Sequence, residues 1–382
     1  MTESAPESGP ESWPAPVYVN GRFLAQRQTG VQRAAAELVT ALDGLLSSDG
    51  RSPLTVLAPP DADTGRLRLD GTTVRRIGRC TGYAWEQWEL PRAAGGSLLI
   101  NLGNTAPLLH RRNAILIHDA SVFDRPDGYG WKFRTAMRWL LPVLARRAEA
   151  LFTVSRFSAD RLAAHGIANR HGCTVLPSGT EHVARLAVDG GAPARHGLEP
   201  GRYVLFVGSP HPNKNLAGAL AAIGRVGDPG LRLAVVGAAD PRVFAADAPA
   251  AARPGDRAVF LGAVDDAEMA GLYAGALALL FPSYYEGSGL PPLEAMALGC
   301  PVIASDRASI PEVCGDAARL VDPDDPADMA AAIDRLAADD PARDDLIARG
   351  HARAGLFTWR AAAERLAATL GLAGRPTSRA SD

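Results

Sequence analysis

Glu286 and Glu294 stand eight residues apart in the run Phe281-Pro-Ser-Tyr-Tyr-Glu-Gly-Ser-Gly-Leu-Pro-Pro-Leu-Glu-Ala-Met-Ala-Leu-Gly-Cys-Pro-Val-Ile-Ala-Ser305. Gly287 and Gly289 flank Ser288 and permit backbone angles and close approaches that a Cβ forbids. Pro291 and Pro292 sit where a helix begins, because a first-turn residue has no intrahelical partner for its N–H. The N–H groups of Ser288, Gly289 and Leu290, with a helix dipole worth roughly half a positive charge, then form an anion site. Acids beside a phosphate are repelled unless they meet something else, such as hydroxyls. Phosphate in the middle with hydroxyls at both ends describes a nucleotide sugar.

Lys214 is the second residue with chemistry to offer. The chain's 40 basic residues are nearly all arginine, and its lysines are Lys132 and Lys214 alone. Lys214 lies in the turn Pro210-His-Pro-Asn-Lys-Asn215, directly after the apolar run that ends at Ser209. An ammonium about 3–4 Å from a phosphate oxygen in a closed cleft interacts far more strongly than in bulk water.

These residues need strands to aim them. Leu277–Phe281, bounded by Pro282-Ser283, reads as a fully covered parallel strand. Further strands are expected at 17–19, 54–58, 74–76, 98–102, 114–118, 151–154 and 174–176, and again at 203–209, 231–236, 259–261, 302–304 and 319–321. Helical spacing between them, as in 31–46 and 216–226, gives two doubly wound parallel sheets in an α/β fold. In such sheets ligands bind beyond the carboxyl ends of strands, which selects Asn101–Asn104, His118-Asp119 and Ser155-Arg156 as mouth residues. Asp119 either orients the His118 ring or caps the following turn. Thr29-Gly30, just ahead of helix 31–46, turns the chain and can also face an anion.

A chain of 382 residues with net charge -2 is too long for one ordinary core and too neutral for a nucleic-acid binder carried by bulk charge. Domains are expected at 17–186 and 201–355, joined by a Gly/Pro/Ala-rich linker at 187–200, with a terminal helix at 356–372. The tails 1–16 and 373–382 are expected to be disordered. Cys80, Cys173, Cys300 and Cys314 show no ligand spacing and read as reduced thiols. No apolar run approaches the ~20 residues of a spanning helix, and the acidic start is unlike a signal peptide, so a cytoplasmic protein is expected. The aromatic, basic helix 131–147 fits either of two roles: an interfacial helix on anionic lipid at the cytoplasmic membrane face, or an ordinary amphipathic helix on the sheet. A dinucleotide oxidoreductase is disfavoured because no G-x-G-x-x-G follows the strand at 203.

The ordered landmarks Thr29-Gly30, His118-Asp119, Thr153-Val-Ser155, Leu176-Pro-Ser-Gly179, Gly208…Lys214-Asn215 and the two glutamates resemble the GT4-type family of retaining glycosyltransferases. The resemblance spans roughly 17–372 and implies a GT-B fold whose terminal helix crosses back to the first domain. It implies that His118 points into the cleft beside the donor sugar and that Glu286 binds that sugar's hydroxyls. Lys214 meets the diphosphate, and Glu294 meets the ribose hydroxyls while also favouring the helix dipole. The loop Thr-Gly-Val-Gln-Arg33 closes over the donor phosphates and borders the acceptor. Arg33, Asn104, Asp119 and Arg156 are the candidates for meeting either the acceptor or a phosphate.

The resemblance also implies front-face transfer with retention and neither metal nor cofactor. Asp61-Ala-Asp63 and Asp322-Pro-Asp324 lie in loop-like, polar contexts far in sequence from these landmarks and read as solvated turns rather than metal sites. The motif style is most similar to the mannosyl- and rhamnosyltransferase-type branch. That implies GDP-mannose as donor and a glycan or lipid-linked acceptor, with UDP- or dTDP-sugars and a non-catalytic nucleotide-sugar-binding module as the alternatives. Two departures matter. Ser288 stands where most members carry phenylalanine. Ser209 stands where many carry a phosphate-binding arginine, so Lys214 acts alone there, or Arg33 or Arg156 reaches in.

Overall fold

Short apolar runs alternating with helices close into two parallel sheets in the computed structural model, which describes residues 16–47, 52–237 and 257–372. The first lobe contains β1 (Val17–Asn20), β2 (Leu54–Ala58), β3 (Thr73–Arg76), β4 (Leu98–Asn101), β5 (Asn113–Leu116), β6 (Ala150–Thr153) and β7 (Cys173–Val175). Their spatial order is β3-β2-β1-β4-β5-β6-β7. The second contains β8 (Tyr203–Val207), β9 (Arg232–Val236), β10 (Ala258–Gly262), β11 (Ala278–Phe281), β12 (Val302–Ser305) and β13 (Arg319–Val321), ordered β10-β9-β8-β11-β12-β13. The pairings are all parallel.

Central strands such as β4, β5, β11 and β12 are buried at every residue. Helices therefore cover both faces, and the doubly wound expectation holds. In each sheet the strand order reverses once, between β1 and β4 and between β8 and β11, and those crevices are where such sheets take ligands.

The terminal helix Trp359–Thr369 crosses back to the first lobe. Its Trp359, Ala362, Ala363, Leu366 and Ala367 join that lobe's core beside Ala34, Ala35, Leu38 and Val39 of helix Gly30–Leu46. Alanines at the contact let the two helices approach closely. The segment 187–200 carries a short helix, Ala192–Arg195, fastened to the second lobe: Arg195 pairs with both Asp189 and Glu268. Residues 1–15 of the N-terminal tail and the whole 373–382 tail lie outside the described residues. Cys300 and Cys314 are buried in the second-lobe core, where burial pushes both thiols up to about 12. Such thiols pack as small apolar groups.

Candidate active site

The crevice between β8 and β11 gathers the donor-side residues. The loop after β8 makes a one-turn helix, Pro212–Lys214, and Asn215 follows at φ 57°. There Asn215 accepts from the Gly218 N–H at 3.1 Å and donates to Pro323 O at 2.7 Å, fixing where Lys214 emerges. The loop after β11 is zipped to it by Tyr284 N–H donating to Asn213 O at 2.8 Å. Lys214 Nζ then lies 2.6 Å from Glu286 Oε1 and 5.4 Å from the Phe281 ring centroid. The pair neutralises itself, so a carboxylate stands beside an anion site at small electrostatic cost.

Gly289, at φ 61°, opens helix Leu290–Ala297. Among the described residues, no protein acceptor takes the N–H of Ser288, Gly289 or Leu290. Across the cleft, Gly30 stands 4.0 Å from the Leu290 side chain, measured from where a Cβ would lie. Gly287 meets the first lobe directly, since a Cβ there would fall 2.7 Å from His118 O. Only glycine fits that approach.

His118 follows β5 and is buried. Its ring Nε2 lies 3.0 Å from Leu102 O, and a carbonyl only accepts, so Nε2 carries the proton and Nδ1 is left as an acceptor. Burial lowers the ring's pKa. Asp119 does not orient this ring. Its carboxylate accepts from Ser121 N–H at 2.8 Å, which settles the open choice in favour of the turn cap. Asn104, at φ 67°, accepts from His118 N–H at 2.7 Å and so shapes the histidine's backbone.

Glu294 lies in a separate polar cluster. His182 Nε2 is 3.0 Å from its Oε1, Tyr273 OH donates to Oε2 at 3.4 Å, and Arg33 Nε stands 3.8 Å away. Arg33 also forms a two-pronged pair with Asp266. That pair raises the Arg33 pKa against the lowering by burial, and holds the Asp266 carboxyl below its usual range. Arg33 thus sits on the Glu294 side of the cleft, away from Lys214. Arg156 has an 84% exposed side chain, 3.7 Å from Glu312, whose carboxylate accepts from the Arg156 and Phe157 N–H groups, and it lines the same cavity as Ser288. Ser209 is exposed. Among the residues expected to hold phosphate, Lys214 pairs with Glu286 in the glycine turn, Arg33 is engaged by Asp266, and Arg156 shares a cavity with Ser288.

Residues 201–339 match the family described as Glycosyl transferases group 1. The O-antigen chain mannosyltransferase B of Escherichia coli is 32% identical over 264 residues, covering 66% of this chain and 68% of that protein. The chain belongs to the GT4-type glycosyltransferases. O-antigen chain mannosyltransferase RfbU of Salmonella typhimurium is 28% identical over 331 residues, 84% of this chain and 90% of that protein. Sucrose-phosphate synthase from Thermosynechococcus elongatus shares the fold with a TM-score of 0.71 at 20% identity, over 94% of this chain and 98% of that one. WaaG, a glycosyltransferase involved in lipopolysaccharide biosynthesis, does so at 0.68 and 15%, over 94% and 98%.

This glycosyltransferase is therefore a hexosyltransferase of GT-B architecture, in the mannosyltransferase branch of its family. Its Ser288 opens onto a cavity of about 350 Å³ whose lining is mixed, with Val154, Val313 and Phe357 beside Arg156, Glu312 and Arg353. Sequence reasoning missed His182 and Asp266. Neither lies in a motif, and both partners, Glu294 and Arg33, are remote in the chain.

Proposed function

We propose that this glycosyltransferase moves mannose from GDP-mannose to a glycan or lipid-linked acceptor, with retention and without a metal ion, in the cytoplasmic assembly of a bacterial polysaccharide. The observation that carries the reading is the Lys214–Glu286 pair beside three uncommitted amides, at the crevice between β8 and β11. The diphosphate lies on the amides of Ser288, Gly289 and Leu290 and takes Lys214 from Glu286, which turns to the sugar hydroxyls. His118 Nδ1 accepts from another sugar hydroxyl. The acceptor oxygen bonds to the anomeric carbon as the carbon–phosphate oxygen bond breaks on the same face, and the acceptor's proton passes to the departing phosphate. Lys214 and the amides supply the positive charge that this departure requires.

Two features support the absence of a metal from this reading. Asp63 is spent on Gly65 N–H and Arg66, and Asp322 on Arg307, although the second D-x-D borders the Lys214 loop through Pro323 O, which accepts from Asn215. The mannosyltransferase relatives support the donor and the polysaccharide. Helix Trp131–Arg147 brings the enzyme to anionic lipid, where a lipid-linked acceptor resides.

A thermal-shift panel of GDP, UDP, dTDP and ADP tests the core of this. GDP at 100 times its dissociation constant should stabilise the protein by about 2.7 kcal/mol. Lys214→Ala and Glu294→Ala should each shrink that shift without unfolding the protein, and transfer from GDP-mannose should survive EDTA. Shifts unchanged in both variants would refute the site.

A further inference from the structure

His182 is buried at 3% exposure between two partners far away in sequence. On one side the indole Nε1 of Trp359 lies 3.1 Å from its Nδ1. Indole N–H is a donor only, so Nδ1 must accept. The single proton of the neutral ring is thereby placed on Nε2, which stands 3.0 Å from Glu294 Oε1. Trp359 is itself fixed, since its backbone N–H donates to Glu181 Oε2 at 2.7 Å and its side chain belongs to the first-lobe core. The chain of bonds therefore runs from the crossing helix, through one imidazole, to the second glutamate of the donor site.

A carboxylate offers about four lone-pair positions; His182 takes one on Oε1 and Tyr273 OH one on Oε2, leaving two acceptor positions for two adjacent hydroxyls. Without the His182 donor, Oε1 is left to Arg33 Nε alone, 3.8 Å from that same oxygen, and the carboxylate can rotate away from the ligand. We infer that His182, locked in one tautomer by Trp359, is a positioning residue that holds the Glu294 carboxylate in place for the vicinal diol of a nucleoside diphosphate's ribose. The inference rests on the proposed reading that Glu294 meets that ribose.

The experiment compares binding of ribo- and 2′,3′-dideoxynucleoside diphosphates to the full chain, run with both guanosine and uridine forms so that the base does not decide the result. Wild type should prefer the ribonucleotide by about tenfold or more, the loss expected when a carboxylate's bonds to two hydroxyls vanish. His182→Ala should bring the ratio close to one, as should Glu294→Gln. His182→Gln, which keeps an N–H donor near the Nε2 position, should restore most of it, and Trp359→Phe, which keeps an aromatic ring but removes the indole N–H, should reduce it. A residue that served only packing would change both affinities together and leave the ratio alone. A ratio preserved in His182→Ala but lost in Glu294→Gln overturns the role of His182. A wild type with no preference, or a Glu294→Gln variant that keeps it, overturns the ribose reading beneath it.

Discussion

His118 shows how much one buried ring can reveal. Its pKa is lowered by burial, against which the Leu102 carbonyl and Asp119 pull the other way. A histidine easier to protonate in the unfolded chain contributes stability that is complete above its ordinary value, about 6.5, and that drains away as pH falls below it. Urea-unfolding stability of the wild type should therefore decline more steeply from pH 7 to pH 5 than that of His118→Gln. Parallel slopes would assign the decline to other groups. At this scale the sequence is informative where chemistry is local. His118 ends an apolar strand, and Lys214, Glu286 and Glu294 sit in turns and a helix start punctuated by glycine and proline. His182 and Asp266 carry no such signal, because their meaning comes from partners 112 and 177 residues away for His182, and 233 for Asp266. Arg33 is the complement. Its loop is recognisable, but the acid that draws it from the diphosphate belongs to the other lobe.

At the scale of elements, period and punctuation suffice for the strands, whose observed limits fall within about two residues of those expected. They do not suffice for helix Trp131–Arg147. An amphipathic basic helix has the same pattern whether its outer face meets water or lipid. Met137, Leu141 and Leu144 are buried inward, whereas Trp131, Phe133 and Trp139 are 67%, 43% and 62% exposed, beside Lys132 and Arg138. Three large aromatics held outward among cations fit an interface that buries rings at headgroup depth. Among the described residues no helix is long and apolar enough to cross a membrane. Contact of this kind lies along the surface. The protein should float with liposomes containing anionic lipid, and flotation should fall with rising salt and in a Trp131→Ser, Trp139→Ser double variant. Equal recovery with neutral and anionic vesicles would remove the lipid face from the proposal.

At the scale of the molecule, the lobes meet through polar contacts that composition alone does not announce. His211 Nε2 lies 3.1 Å from Gly128 O, Glu312 receives two N–H groups of helix Arg156–Ala164, and Tyr285 OH donates to Asp124 at 2.9 Å. Tyr285 immediately precedes Glu286, so this last bond fastens the donor turn to the first lobe. Burial alone would raise the Asp124 carboxyl. Hydrogen bonds from Arg161, His165 and Tyr285 outweigh it and hold the pKa at about 2. A carboxyl held below its ordinary value of about 3.9 contributes stability present above that value and lost as pH falls toward the folded-state value. Discounted for partial exposure, the contribution is on the order of 1 kcal/mol. Asp124→Asn should therefore be less stable than wild type at pH 5, and its stability should fall less between pH 4 and pH 2. Tyr285→Phe removes only the bond between lobes and leaves Arg161 and His165 in place, so its acid slope should lie between the other two. If Tyr285→Phe instead matches wild type throughout, the interlobe bond contributes nothing to the carboxyl's depression, and closure of the cleft rests on the remaining contacts.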